Sequence, residues 1–182
     1  MIRPDLRLLS APFARPPVTR FAPSPIGYLL LGHVVNAIYV WGLARELKGH
    51  VLLRIEDHDR LRSRSAHESA LLDDLDWLEF EADSGRRPLL RQSDQRDAYA
   101  GALARLRRTH HVYACGCSPR EIGSGRYPGT CRQKGLEEHP GRGLRVQVEP
   151  GVERFIDGLL GPQEQTPADD CGDVLLRDRD GH

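Results

Sequence analysis

The sequence predicts an α/β protein of the doubly wound kind, and three observations lead there. Short β-like runs at residues 18–22 and 51–55 enclose a stretch with helical periodicity. Proline and glycine punctuate both joints, in PSPIG at residues 23–27 and at Gly49. Strand, turn, helix and strand together take about 40 residues, the scale of a βαβ crossover unit.

Each element follows from its residues. Residues 1–17 read as a loose leader, because the consecutive Pro16 and Pro17 favour extended backbone over a helix start. The first strand is halted by Pro23, Ser24 and Pro25, and Gly27 permits a tight turn. From Gly32, the residues Val34, Ala37, Ile38, Trp41 and Ala44 recur at helical spacing, and Gly49 stands where a C-terminal cap belongs. Residues 51–55 then form a buried strand parallel to the first, since crossovers of this kind are right-handed. The two carboxyl ends carry residues 23–27 and the acidic Glu56, Asp57 and Asp59, where open α/β sheets bind ligands. Ser65 and Glu68 form a capping-box pattern ahead of Leu71, Leu72, Leu75 and Leu78, a helix that reads as scaffold. A third helix starts near Ser93 or Asp94, with Ala98, Tyr99, Ala102, Leu103 and Leu106 on one face; Arg105, Arg107 and Arg108 suit its C-terminus. Strands follow at 112–115, 144–148, near 154–156 and at 174–177, separated by glycine and proline turns.

Composition bounds the function. The chain has 182 residues with 26 basic and 26 acidic side chains, so it is neither a disordered polyelectrolyte nor a uniformly basic nucleic-acid binder. Neutrality leaves room for a local positive face that meets RNA. No apolar run approaches the ~18 residues of a membrane helix, and Arg3, Pro4, Arg7, Pro12 and Arg15 interrupt any signal-peptide core, which predicts a cytoplasmic address. In that reducing setting Cys115, Cys117 and Cys131, within 17 positions, read as a metal cluster rather than disulfides.

Cys-x-Cys followed by a third thiol across a glycine-rich loop lacks one donor for a tetrahedral zinc site. Tyr127, His110, His111 and His139 are the candidate fourth ligands, and a set of four protein ligands makes a structural centre. The competing interpretation is three incidental thiols packed as small hydrophobes. In PSPIGYLLLGH, residues 23–33, a braced turn leads to a helix start with free N–H groups and partial positive charge, an environment suited to a nucleotide phosphate. Arg20 sits inside an apolar strand and must reach an anion or the surface.

RFAPSPIG at 20–27, LLLGH at 29–33, LLRIEDHD at 52–59, QSDQRDAY at 92–99 and the Cys-x-Cys, Tyr, Cys loop occur in one order. Together they resemble the glutamate branch of class I aminoacyl-tRNA synthetases. The similarity runs from Val18 to the end of the chain. The thiol spacing, RFIDGLLGPQ at 154–163 and GDVLLRDRDG at 172–181 are most similar to the glutamyl-queuosine tRNA(Asp) synthetases, short paralogues without an anticodon-binding domain.

The resemblance implies a Rossmann-like catalytic domain whose first half spans 18–109, a zinc-binding insertion at 110–150 and the start of a second half at 151–182. It implies that Arg20, Phe21, Ala22, Pro23, Ser24 and Glu56 bind glutamate, with Glu56 on the α-ammonium group. Pro25, Gly27, Gly32 and His33 would bind ATP with Mg2+, His33 acting in catalysis. Cys115, Cys117, Tyr127 and Cys131 would hold Zn2+, and tRNA(Asp) would accept the glutamyl group. Two departures accompany it. Leu30 stands where the signature's first histidine belongs, and no lysine follows Lys134, so the lysine-bearing phosphate loop of the family is not among these residues. The sequence therefore predicts an impaired or partial synthetase whose open half-sheet exposes apolar edges. A non-catalytic zinc module that binds RNA or a partner, and a piece of a glutamyl-tRNA synthetase, are the alternatives.

Overall fold

The computed structural model describes residues 15–157 and 160–181, so most of the expected leader lies outside the described residues. Two compact units divide the chain between Asp97 and Ala98. No described helix is long and apolar enough to cross a membrane.

In the first unit, β1 (Val18–Phe21) and β2 (His50–Leu53) pair in parallel, Arg20 opposite Leu52 and Phe21 opposite Leu53. The parallel ladder continues past both strands, with the Arg54 N–H donating to Phe21 O at 3.0 Å and the Glu56 N–H to Pro23 O at 2.9 Å. Helix α1 (Leu31–Glu46) makes the crossover, as the glycine and proline pattern predicts. The far edge of β2 is covered by irregular chain, through bridges from Leu52 to Ser84 and from Ile55 to Arg91. Phe21, Leu53 and Ile55 meet Ala37 of α1 and Leu71 and Leu75 of α2 (Ser65–Trp77) in one buried cluster. Each large apolar side chain buried there contributes about 1.5–3 kcal/mol. Trp41 lies edge-on to Phe21, with ring centroids 5.4 Å apart, and its indole N–H donates to Glu81 O.

Several sequence expectations change here. Ile38 is 56% exposed, with Leu31, Val35 and Tyr39 on the same outer row, so α1 is apolar on more than its core face. Ser65 lies inside α2, whose N-cap is Arg64, and Glu68 instead pairs with Arg91 through two hydrogen bonds of 3.0 and 2.7 Å. Gly49 is not the left-handed residue that ends α1. Lys48 takes that conformation with φ 51°, while the Gly49 N–H donates to Ala44 O at 2.8 Å, as in a Schellman motif. Gly49 is required for another reason: a Cβ there would lie 2.4 Å from Pro17 O. Left-handed backbone costs a lysine roughly 1–2 kcal/mol that glycine avoids. Lys48→Gly is therefore expected to raise stability by about 0.5–1 kcal/mol, read as a higher urea midpoint with an unchanged slope.

A 3-10 turn (Gln92–Gln95) precedes α3 (Arg96–Leu106), none of whose residues is fully buried. In the second unit β3 (Val112–Cys115), β4 (Gly143–Val146) and β7 (Val174–Arg177) form an antiparallel sheet in the order β3-β4-β7. A hairpin joins β5 (Glu153–Asp157) to β6 (Gly161–Gln165). Helices α4 (Pro119–Ile122) and α5 (Pro167–Asp170) are single turns, and neither they nor β6 are foreseen from the sequence. Tyr113, Cys115, Tyr127 and Cys131 are its buried cluster, with Cys117, Ile122 and Leu136 packed against it.

Candidate functional site

Alternation along β1 and β2 sorts the first unit's candidate residues into two faces. Phe21, Pro23 and Pro25 are buried, as are Val51, Leu53 and Ile55. Arg20, Ala22 and Ser24 turn the other way, together with Leu52, Arg54 and Glu56, and remain exposed or half-buried. Arg20 and Glu56 thus share one face at the carboxyl ends of two parallel strands, whereas Phe21, Pro23 and Pro25 have only backbone to offer a ligand. The Glu56 carboxylate is held by Arg54, whose Nε and Nη2 each approach Oε1 at 2.6 Å. Ser24 donates its hydroxyl to Glu56 O at 2.9 Å, so it fixes the neighbouring loop as well as lining the face. Asp57 accepts from the Ser93 N–H at 2.9 Å and from its hydroxyl at 2.6 Å, and His58 meets Gln92 at 3.0 Å. The LLRIEDHD and QSDQRDAY segments therefore meet, and Asp57 is a capping group rather than a solvated charge.

Gly27 and Gly32 face open space, with nothing within 4 Å of a Cβ built on either. His33, in the first turn of α1, accepts the Leu30 N–H at Nδ1, 2.9 Å away. The neutral ring bonded in this way carries its proton on Nε2. Leu30 is 68% exposed and supplies no side-chain donor at this helix start.

The second unit gathers the thiols. The Cys115, Cys117 and Cys131 sulfurs all lie within 4.8 Å of one another, and no histidine joins them among the described residues. Each candidate histidine is bonded elsewhere: His110 to Thr109, His111 to Gln147 and His139 to Pro140 O. The Tyr127 hydroxyl, by contrast, is 3.3 Å from Cys115 Sγ and 3.9 Å from Cys117 Sγ. Tetrahedral bonds of about 2.3 Å to sulfur set ligand atoms roughly 3.5–3.8 Å apart. The Cys117–Cys131 separation of 3.5 Å and both sulfur–oxygen distances bracket that range, so three thiols and one phenol fit a metal ion. Burial, then the hydrogen bond with Cys131, pushes the Cys117 thiol up to about 11. Burial also opposes ionisation of Cys131, but the Gly116 N–H, Cys117 and Tyr127 outweigh it and bring that thiol down to about 7. Burial, and then the hydrogen bond to Cys115, raises Tyr127 well above the usual phenol range.

Residues 17–142 match the family described as tRNA synthetases class I (E and Q), catalytic domain. The chain belongs to this family. It is 44% identical to the glutamyl-Q tRNA(Asp) synthetase of Rhodobacter capsulatus, with 90% of this chain and 67% of that protein covered. It is 39% identical to the glutamyl-Q tRNA(Asp) synthetase of Bordetella bronchiseptica, over 90% of this chain and 54% of that protein. The chain thus spans about half to two thirds of these curated relatives. Its fold is similar to a glutamate tRNA ligase from Elizabethkingia meningosepticum crystallised with its amino acid: TM-score 0.72, 25% identity, 90% of this chain and 39% of that one.

Within this class I catalytic-domain chain, sequence reasoning missed the residues that hold the thiol cluster in place. Asp173 is 1% exposed; it accepts two 2.8 Å hydrogen bonds from Arg132, one of 2.5 Å from Tyr113 and one of 3.1 Å from the Val148 N–H. Gly172, φ 70°, crosses the chain so closely that a Cβ would lie 2.1 Å from Tyr127 O. The Tyr127 N–H donates to Cys171 O at 3.0 Å. A Gly-Asp pair just ahead of a strand was the available sequence signal, but nothing in its spacing tied it to cysteines some 40–60 residues earlier.

Proposed function

We propose that the chain is the glutamate-activating part of a glutamyl-queuosine tRNA(Asp) synthetase. The supporting observation is that Arg20 and Glu56 share a face at the carboxyl ends of parallel strands. Arg20 pairs with a glutamate carboxylate, and the Glu56 carboxylate, held in place by Arg54, accepts the α-ammonium group. Ala22 and Ser24 line the same face. ATP with Mg2+ approaches the backbone at Gly27 and Gly32, and His33 offers Nε2–H to phosphate oxygens. The α-carboxylate of glutamate attacks the α-phosphorus, forming glutamyl-adenylate and releasing pyrophosphate; queuosine of tRNA(Asp) then takes the glutamyl group and AMP leaves. No covalent enzyme intermediate is involved, so catalysis rests on alignment and on donors aimed at the developing charge. Cys115, Cys117, Tyr127 and Cys131 hold Zn2+ as a structural centre, since four protein ligands leave no open position.

Pyrophosphate exchange tests the reading. Glutamate-dependent exchange that disappears in Arg20→Ala supports it. Silence of the folded, metal-loaded wild type at high concentration sinks it and favours a non-catalytic RNA-binding module, the reading that Leu30 supports. Because a single transition-state donor is worth about 10²–10³ in rate, Leu30→His is expected to raise exchange by up to about 10²-fold.

A further inference from the structure

Arg145 is a buried cation that no carboxylate in the described residues pairs with. The residue is 8% exposed. Its Nη1 donates to the Asp173 backbone carbonyl at 2.8 Å, and its Nε has no hydrogen-bond partner. Its guanidinium carbon lies 3.9 Å from the centroid of the Tyr127 ring. Strand register explains the placement: β4 sets Arg145 opposite Tyr113 and Gly143 opposite Cys115, so Arg145 projects on the sheet face that carries the cluster. A buried charge this poorly matched is costly unless a counter-charge lies near. Three thiolates and one phenolate around a divalent ion leave a net charge of about −2, which supplies one.

We infer that Arg145 is a positioning residue for the metal centre: its guanidinium clamps the Tyr127 ring against the three cysteines and offsets the negative charge of the loaded ligand set. The inference rests on the zinc assignment above. The flat cation on the ring face is attracted most strongly when the ring bears the metal-bound oxygen. The Asp173 carbonyl holds the guanidinium at Nη1. This is the outer-shell arrangement by which proteins orient ligands, and its loss typically weakens metal binding about 10–100-fold.

Zinc affinity, measured by competition with a chromophoric chelator, provides the test. Arg145→Met is expected to bind zinc about 10–100-fold more weakly and to alter the visible spectrum of the cobalt-substituted protein. Arg145→Lys, which keeps the charge but not the plane, should recover part of the loss. Arg154→Met, which removes an exposed partner of Glu164, should leave affinity unchanged. Combined with Tyr127→Phe, the Arg145→Met loss should be less than additive, because both changes remove one interaction. Full additivity, or wild-type affinity in Arg145→Met, overturns the inference. Should Arg145→Met not fold, the wild type decides: on zinc addition the Arg145 Nε–H resonance shifts and that of Arg154 does not, and an unmoved Arg145 signal overturns the claim. A wild type that binds no zinc instead removes the assignment beneath it.

Discussion

Asp173→Leu is expected to cost about 3–5 kcal/mol, a large part of the roughly 5–15 kcal/mol that holds a domain folded. The change strands the Tyr113 hydroxyl and the Val148 N–H without an acceptor and leaves Arg132 without its counter-ion. Asp173→Asn should cost less, about 1–3 kcal/mol, since an amide oxygen still accepts and Arg132, 34% exposed, regains water. The pH dependence has a definite sign. Burial alone would raise the Asp173 carboxyl, but Arg132 first, then Tyr113 and the Val148 N–H, hold it below the ordinary aspartate value of 3.8. Its contribution is therefore present above pH 3.8 and is lost as pH falls through the lower folded-state value. Urea midpoints measured from neutral pH downward should fall for the wild type in that acid window and less steeply for Asp173→Asn. Equal slopes would show that the carboxylate is not the group responsible.

What the sequence revealed and what it concealed divide along physical lines. The strands 112–115 and 174–177 were readable residue for residue because β-branched and aromatic residues stand between unambiguous turns. The parallel β1–β2 pairing follows from crossover geometry, and alternation puts Arg20 and Glu56 on one face once Arg20 is registered opposite Leu52. Local signals failed where tertiary contact overrode them. Gly49 read as a left-handed cap, yet contact with Pro17 is what demands it, and that contact spans 32 positions of chain. Ser65 looked like a cap, but Glu68 was already committed to Arg91. Ile38 read as core because helical spacing cannot say which of two apolar rows is covered. At the thiol cluster, cysteine spacing identified three members, whereas the approach of the Tyr127 hydroxyl, rather than of three histidines, to those sulfurs depends on folding of the glycine-rich loop. Arg145 and Asp173 were illegible for the same reason: strand register sets where they lie, and register is invisible to composition.

Cys117→Ser should abolish tight zinc binding and, with it, the fixed structure of the glycine-rich thiol loop. The buried cluster there consists largely of the proposed ligand set, with Tyr113, Ile122 and Leu136 added from outside it, so few apolar contacts remain to order the loop once the ion is gone. Metal-binding free energy in such a site acts as folding free energy, commonly about 10–16 kcal/mol for structural zinc. Loss of one thiolate removes a large share, and a serine hydroxyl is a far weaker donor at neutral pH. The expected result is about one zinc per wild-type chain, near zero in Cys117→Ser, and broadened amide signals confined to residues around 113–136. Acid should reproduce the effect: the Cys117 thiol, held up to about 11 without metal, must give up its proton to bind, so affinity falls as pH falls. Cys171→Ser, at an exposed thiol outside the cluster, is the matched control and should retain both zinc and structure. A well-folded, zinc-free wild type would reduce the cluster to ordinary packing and withdraw the metal from the account of how the second unit is built.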